Sequence, residues 1–141
     1  MAGKVVGIAC DIRVPEAIKD MVDTIWPDRR AGAGTTGHIA MYIGNGHAGW
    51  EAANANLFSR GDRALVLATG RFGLSWAESV RALGVEVEVL DFGRSSPVDF
   101  ARVEAALRAD SAHRYKAVLT THVDTASTIR TDVPRLRAVL D

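Results

Sequence analysis

The stretch "RALVLATGRFGLSWAESVRALGVEVEVLD", residues 63–91, decides the fold class. Its first eight residues form a buried-strand run that ends at Gly70 and is entered through the turn-forming "SRGD" of residues 59–62. From 73 to 84, Leu74, Ala77, Val80, Ala82 and Leu83 recur at roughly helical spacing, and Gly84 supplies a left-handed stop. Residues 85–90, "VEVEVL", alternate strictly, which predicts a strand with one apolar and one acidic face. A strand, a helix and a second strand on short links imply a parallel pair, because parallel strands need a crossover of this length.

The same alternation continues toward the carboxyl end. Residues 96–110, "SPVDFARVEAALRAD", read as a helix capped by Ser96 or Asp99, with Phe100, Val103, Ala106 and Leu107 on one face. Residues 115–124, "YKAVLTTHVD", read as a further apolar strand. The expected class is therefore α/β, a three-layer α/β/α arrangement around a mostly parallel sheet. Toward the amino end the pattern is less regular. Residues 4–10 read as strand, residues 14–26 as a helix bounded by Pro15 and Pro27, and residues 27–37 as a flexible loop. A strand over 38–43 and a helix over 46–58 follow.

Composition limits the functional classes. With 48% hydrophobic and 24% charged residues, the 141-residue chain has the balance of a soluble globular domain. Lys+Arg and Asp+Glu both number 17, which argues against nucleic acid or a membrane surface as the main partner. The arginines at 29 and 30 read as solvated. The single cysteine, Cys10, cannot form an internal disulfide, so a reducing, cytoplasmic setting is expected. No run approaches the roughly 18 apolar residues of a membrane span, and the opening residues do not read as a secretory signal. His38, His47, His113 and His122 show no pair at metal-ligand spacing, so no metal is expected. His122 reads as a core histidine or one standing behind the site rather than a catalytic base, Trp50 and Trp76 as packing residues, Asp62 as a structural hydrogen-bonding group and Asp124 as a loop-fixing one.

Gly44, Gly46 and Gly49 form a G-x-G-x-x-G between the strand at 38–43 and the helix at 46–58. Such a turn puts backbone N–H groups at the positive end of a helix dipole, an arrangement that binds phosphate. A dinucleotide site would also need Asp or Glu at the end of the next strand. Ala68, Thr69 and Gly70 stand there instead.

Taken together, "GNGHAGWEAANANLFSRGDRALVLATGRFGLSWAESVRALGVEVEVLD" (residues 44–91) and "KAVLTTHVDTAS" (residues 116–127) resemble the class V aminotransferases. The similarity is to the serine–glyoxylate and alanine–glyoxylate enzymes, which use pyridoxal phosphate, and it runs over roughly residues 38–127. The resemblance implies a partial cofactor-binding large domain over 38–141, preceded by an arm, helix and glycine-rich loop over 1–37. It implies that Asn45, Gly46 and His47 hold the cofactor phosphate, that Phe72 stacks on the pyridine ring, and that Thr125 places a hydroxyl near the ring oxygen. The implied reaction moves an amino group from a small amino acid to glyoxylate or another 2-oxo acid, in a homodimer or paired with another subunit.

The chain also departs from that pattern. The family's cofactor-binding lysine and the acid beside the pyridine nitrogen lie beyond the "DTAS" strand, and the 141 residues reach neither. No catalytic residue is assigned, and the chain is expected to be inactive alone. Where the family continues "DTAS" with glycine, Thr128 and Ile129 follow Ser127, so a loop relying on positive φ would be strained or rerouted. Two other readings stay open at this point: a nucleotide- or phosphate-binding α/β module, and a non-catalytic interaction remnant.

Overall fold

A computed structural model describes residues 44–141. The elements expected over residues 4–10, 14–26 and 38–43, and Cys10, lie outside the described residues. The described chain falls into two compact units, one containing residues 44–56 and the other residues 57–141.

In the first unit, helix α1 spans Gly46–Leu57, its last residue crossing into the second. Asn45 opens it: its Oδ1 accepts from the Ala48 N–H at 3.1 Å, and its carbonyl accepts from the Gly49 N–H at 3.3 Å. A side-chain oxygen in this position satisfies one of the free donors of the first turn.

The second unit is built on three parallel strands in the order β2-β1-β3: β1 (Arg63–Ala68), β2 (Glu86–Asp91) and β3 (Tyr115–Thr120). β1 is the central strand, and Ala64 through Ala68 are completely buried, as a strand covered on both faces requires. Helix α2 (Arg71–Ala82) covers one face, where Ala77 and Val80 pack with Ala64, Val66, Val85 and Leu119. Helices α3 (Phe100–Ala109) and α4 (Val133–Leu140) cover the other, where Val103 and Leu136 pack with Leu65, Leu67, Phe92 and Val98. Between β3 and α4 lies a two-stranded antiparallel hairpin, β4 (Val123–Asp124) and β5 (Ile129–Arg130). The unit thus has the expected three layers and parallel sheet. Among the described residues no helix is long and apolar enough to cross a membrane.

Local chemistry accounts for the boundaries. Of the two residues proposed to cap α3, Asp99 does so, its carboxylate accepting from the Ala101 N–H at 3.0 Å. Asp132 caps α4 in the same way through the Arg135 N–H at 3.1 Å. Gly84 adopts φ +80 after α2, the left-handed stop read from the sequence.

Three expectations need correction. α2 starts at Arg71 rather than at Gly73, so Phe72 lies in the first helical turn. The strand expected over 115–124 stops at Thr120, and Val123 and Asp124 belong to the separate hairpin. His122, placed in the core from its strand, is consequently exposed. The acidic face of β2 is also only partly a solvent face. Half-buried Glu88 pairs with Arg63 at 2.7 Å and accepts from the Tyr115 hydroxyl, three groups gathered near the amino end of the sheet. Partial burial, followed by the bond to Glu88, pushes the Tyr115 phenol up to about 12.

Candidate functional site

In a parallel sheet the ligand edge is the one formed by the carboxyl ends of the strands. In the second unit β1 leaves that edge through Thr69 and Gly70, and β3 through Thr121. The chain from β1 turns directly into α2, whose N-cap, Gly70, has no side chain with which to satisfy the first-turn N–H groups. Asp124 supplies the missing acceptor from 51 residues away, its Oδ2 taking the Gly73 N–H at 2.9 Å.

Asp124 is completely buried. Its other carboxylate oxygen accepts from the Ala126 N–H at 3.1 Å, and its carbonyl accepts from the N–H groups of Ser127 at 3.1 Å and Thr128 at 2.7 Å. One residue therefore ties the "GRFG" segment to the "DTAS" turn. Burying a carboxylate is costly unless donors surround it, and here backbone donors and the positive end of α2 do so. The loop-fixing role read for Asp124 extends to the start of a helix.

The two glycines of "GRFG" follow from this packing. A methyl group at Gly70 would sit 2.6 Å from both Cγ and Oδ1 of Asp124. One at Gly73 would sit 2.8 Å from the Cα of Ala68, because the start of α2 lies directly against the end of β1. Neither approach tolerates a side chain.

Two hydroxyls at the same edge are buried without partners among the described residues. Thr69 is fully buried and Thr121 is 9% exposed, and neither Oγ1 makes a hydrogen bond. Such orphaned groups are rare in protein interiors. Thr131 folds back on this region, donating its hydroxyl to the Thr121 carbonyl at 3.0 Å and its N–H to the His122 carbonyl at 2.7 Å. The turn itself is strained at Thr128, which adopts φ +60. The backbone keeps the positive φ anticipated for this position while carrying a β-branched side chain.

The five residues implicated in cofactor binding divide between the units. Asn45, Gly46 and His47 lie at the exposed start of α1 in the first. Among the described residues no atom comes within 4 Å of a methyl built at Gly46, and the His47 ring meets Trp50 edge-on with centroids 4.6 Å apart. In the second unit, half-buried Phe72 and exposed Thr125 stand on either side of the Gly73–Asp124 bond, which brings their two segments together. Thr69, Thr121 and the bridging function of Asp124 were missed in the sequence. Among the described residues no cluster of His, Cys, Asp and Glu could hold a metal.

The chain is 31% identical over 131 residues, 93% of its length, to a serine–glyoxylate aminotransferase of Hyphomicrobium methylovorum. The chain belongs to the class V aminotransferases. An L-aspartate–glyoxylate aminotransferase of Paracoccus denitrificans is 32% identical over 109 residues, or 76% of this chain. The chain spans 32% and 27% of the lengths of these two class V relatives. No family model matches it. Among solved structures, pyridoxamine–pyruvate aminotransferase from Mesorhizobium loti superimposes with a TM-score of 0.77 at 20% identity, covering 89% of this chain and 32% of that one. At that identity the likeness is one of fold, and it is the α/β fold described above.

Proposed function

We propose that this chain is the cofactor-holding part of a pyridoxal-phosphate-dependent aminotransferase, with residues 38–141 belonging to its cofactor-binding domain. The observation that carries the reading is the bond between "GRFG" and "DTAS", which joins two family motifs at the ligand edge of the sheet. The residues present fit the cofactor. The start of α1 is a helix amino terminus that opens on a glycine, a setting that favours a phosphate. The hydroxyls of Thr69 and Thr121, which have no partner among the described residues, support a polar ligand at the edge where "GRFG" and "DTAS" meet.

In this assignment the backbone at Gly46 and His47, with the Asn45 amide, binds the phosphate. Phe72 lays its ring against the pyridine, fixes its tilt and keeps water from that face. Thr125 donates its hydroxyl to the ring oxygen. When bound, pyridoxal phosphate supplies the electron sink that allows an amino group to leave a donor amino acid and be passed to a 2-oxo acid. The relatives differ in donor, serine in one and aspartate in the other, while sharing glyoxylate. Glyoxylate or a similarly small 2-oxo acid is therefore the proposed acceptor, and a small amino acid the donor. A homodimer, or pairing with another subunit, in the cytoplasm completes the proposal.

The test is a thermal melt of the full chain with pyridoxal phosphate. The expected result is a concentration-dependent rise in Tm that is absent in Gly46→Asp, where a carboxylate would repel the phosphate. A rise of equal size in Gly46→Asp would refute the phosphate assignment.

A further inference from the structure

The structure assigns Asp124 a role beyond the turn that contains it: we propose that it is a positioning residue that sets Phe72 and Thr125 in register with each other for the cofactor ring. The inference rests on the cofactor reading above. Phe72 sits in the first turn of α2, one residue before the Gly73 N–H held by Asp124. Thr125 follows Asp124 directly, one residue before the Ala126 N–H held by the same carboxylate. The two residues that would contact the ring thus each adjoin a backbone group pinned by a single, fully buried side chain.

The arrangement leaves little room for substitutes. Asparagine has one acceptor where two N–H groups must be met, so its NH₂ would oppose either Gly73 or Ala126. Glutamate is longer by a methylene, and the carboxylate already fills the space beside Gly70. Gly70→Ala perturbs the same link from the other side. Its methyl would overlap Asp124 Cγ at 2.6 Å and force the carboxylate off the Gly73 N–H. Asp124→Asn and Gly70→Ala should therefore give the same phenotype, although one alters the acceptor and the other only its neighbour.

The test combines two readouts on the full chain. Without ligand, amide hydrogen exchange is followed at Gly73 and at residues 126–128 in wild type and Asp124→Ala, which removes both acceptors. The expected result is loss of protection at both places together, with β1 still protected. Unchanged protection at either place overturns the proposal, whatever the fate of the cofactor reading. Pyridoxal phosphate is then titrated and followed by its induced circular dichroism. Binding should weaken by about tenfold or more in both Asp124→Asn and Gly70→Ala, the size expected from one lost charge-assisted hydrogen bond. The induced signal should fall with it. Val103→Ala, which removes core packing on the opposite face of the sheet, should keep wild-type affinity and signal even though it melts earlier. If Asp124→Asn and Val103→Ala bind equally well, Asp124 supports only the fold and the proposal fails. If wild type itself binds no pyridoxal phosphate, the cofactor reading fails and takes the ring-positioning role with it, while exchange still reports whether the two segments are coupled.

Discussion

Replacing Thr128 with glycine should make this protein more stable. Thr128 holds φ +60 in the turn after Asp124, and its N–H is fixed there by a 2.7 Å bond to the Asp124 carbonyl. The left-handed conformation costs an L-residue roughly 1–2 kcal/mol, and a β-branched side chain is among the least suited to it. Glycine removes that strain but has about 0.5–1 kcal/mol more chain entropy to lose on folding. The Thr128 side chain is exposed, so its removal forfeits little packing. The difference is a net gain of about 0.5–1 kcal/mol. For a chain of this size that corresponds to a rise in Tm of about 2–4 °C. Thr128→Asn should capture part of the gain, because asparagine tolerates this conformation, whereas Thr128→Ala should gain least. The assay is urea unfolding of the four proteins at equal m-value. A Thr128→Gly protein less stable than wild type, or no better than Thr128→Ala, would refute the claim that the turn stores strain.

Other consequences can be checked on the same material. Gly73→Ala should destabilise the fold by about 1–3 kcal/mol, since its methyl would lie 2.8 Å from the backbone of Ala68 and α2 would have to lift from β1; denaturant unfolding measures it. Of the two tyrosines, one should titrate near pH 12 by ultraviolet absorbance and be missing in Tyr115→Phe. Because the folded-state value of Tyr115 is raised, its contribution is complete below about pH 10 and is lost as pH rises toward 12, so Tyr115→Phe should flatten the alkaline fall in Tm. Asp62 behaves oppositely. The bond from Lys116 at 2.8 Å, followed by that from the Ser59 N–H, lowers its pKa. Its contribution is therefore present above the ordinary carboxylate value and lost as pH falls below it, and the Tm difference between wild type and Asp62→Asn should vanish in acid and shrink in high salt.

The layers of the second unit were legible because each element carries its own period. The continuous apolar run at 64–68 marked a strand buried on both faces, and Ala77 and Val80 marked the covered face of α2. What could not be read locally depends on contacts distant in sequence. Two glycines around Arg71 and Phe72 look like loop, and the helix begins there because Asp124, far along the chain, caps it. "YKAVLTTHVD" looks like one strand, yet Thr131 returns to bond at Thr121 and His122 and turns its last residues into a hairpin. The same limit applies to the candidate site. Family motifs pointed to Asn45, Gly46, His47, Phe72 and Thr125 individually, but the carboxylate that joins two of their segments is visible only in three dimensions.

The central claim is that the start of α1 holds the phosphate of pyridoxal phosphate. Phosphorus NMR of the cofactor, titrated with the full chain, tests it most directly. The account predicts one shifted and broadened phosphate resonance that saturates at one cofactor per chain and returns to its free position in Gly46→Asp. A resonance that stays at its free position with wild type, or that shifts identically with Gly46→Asp, would contradict it.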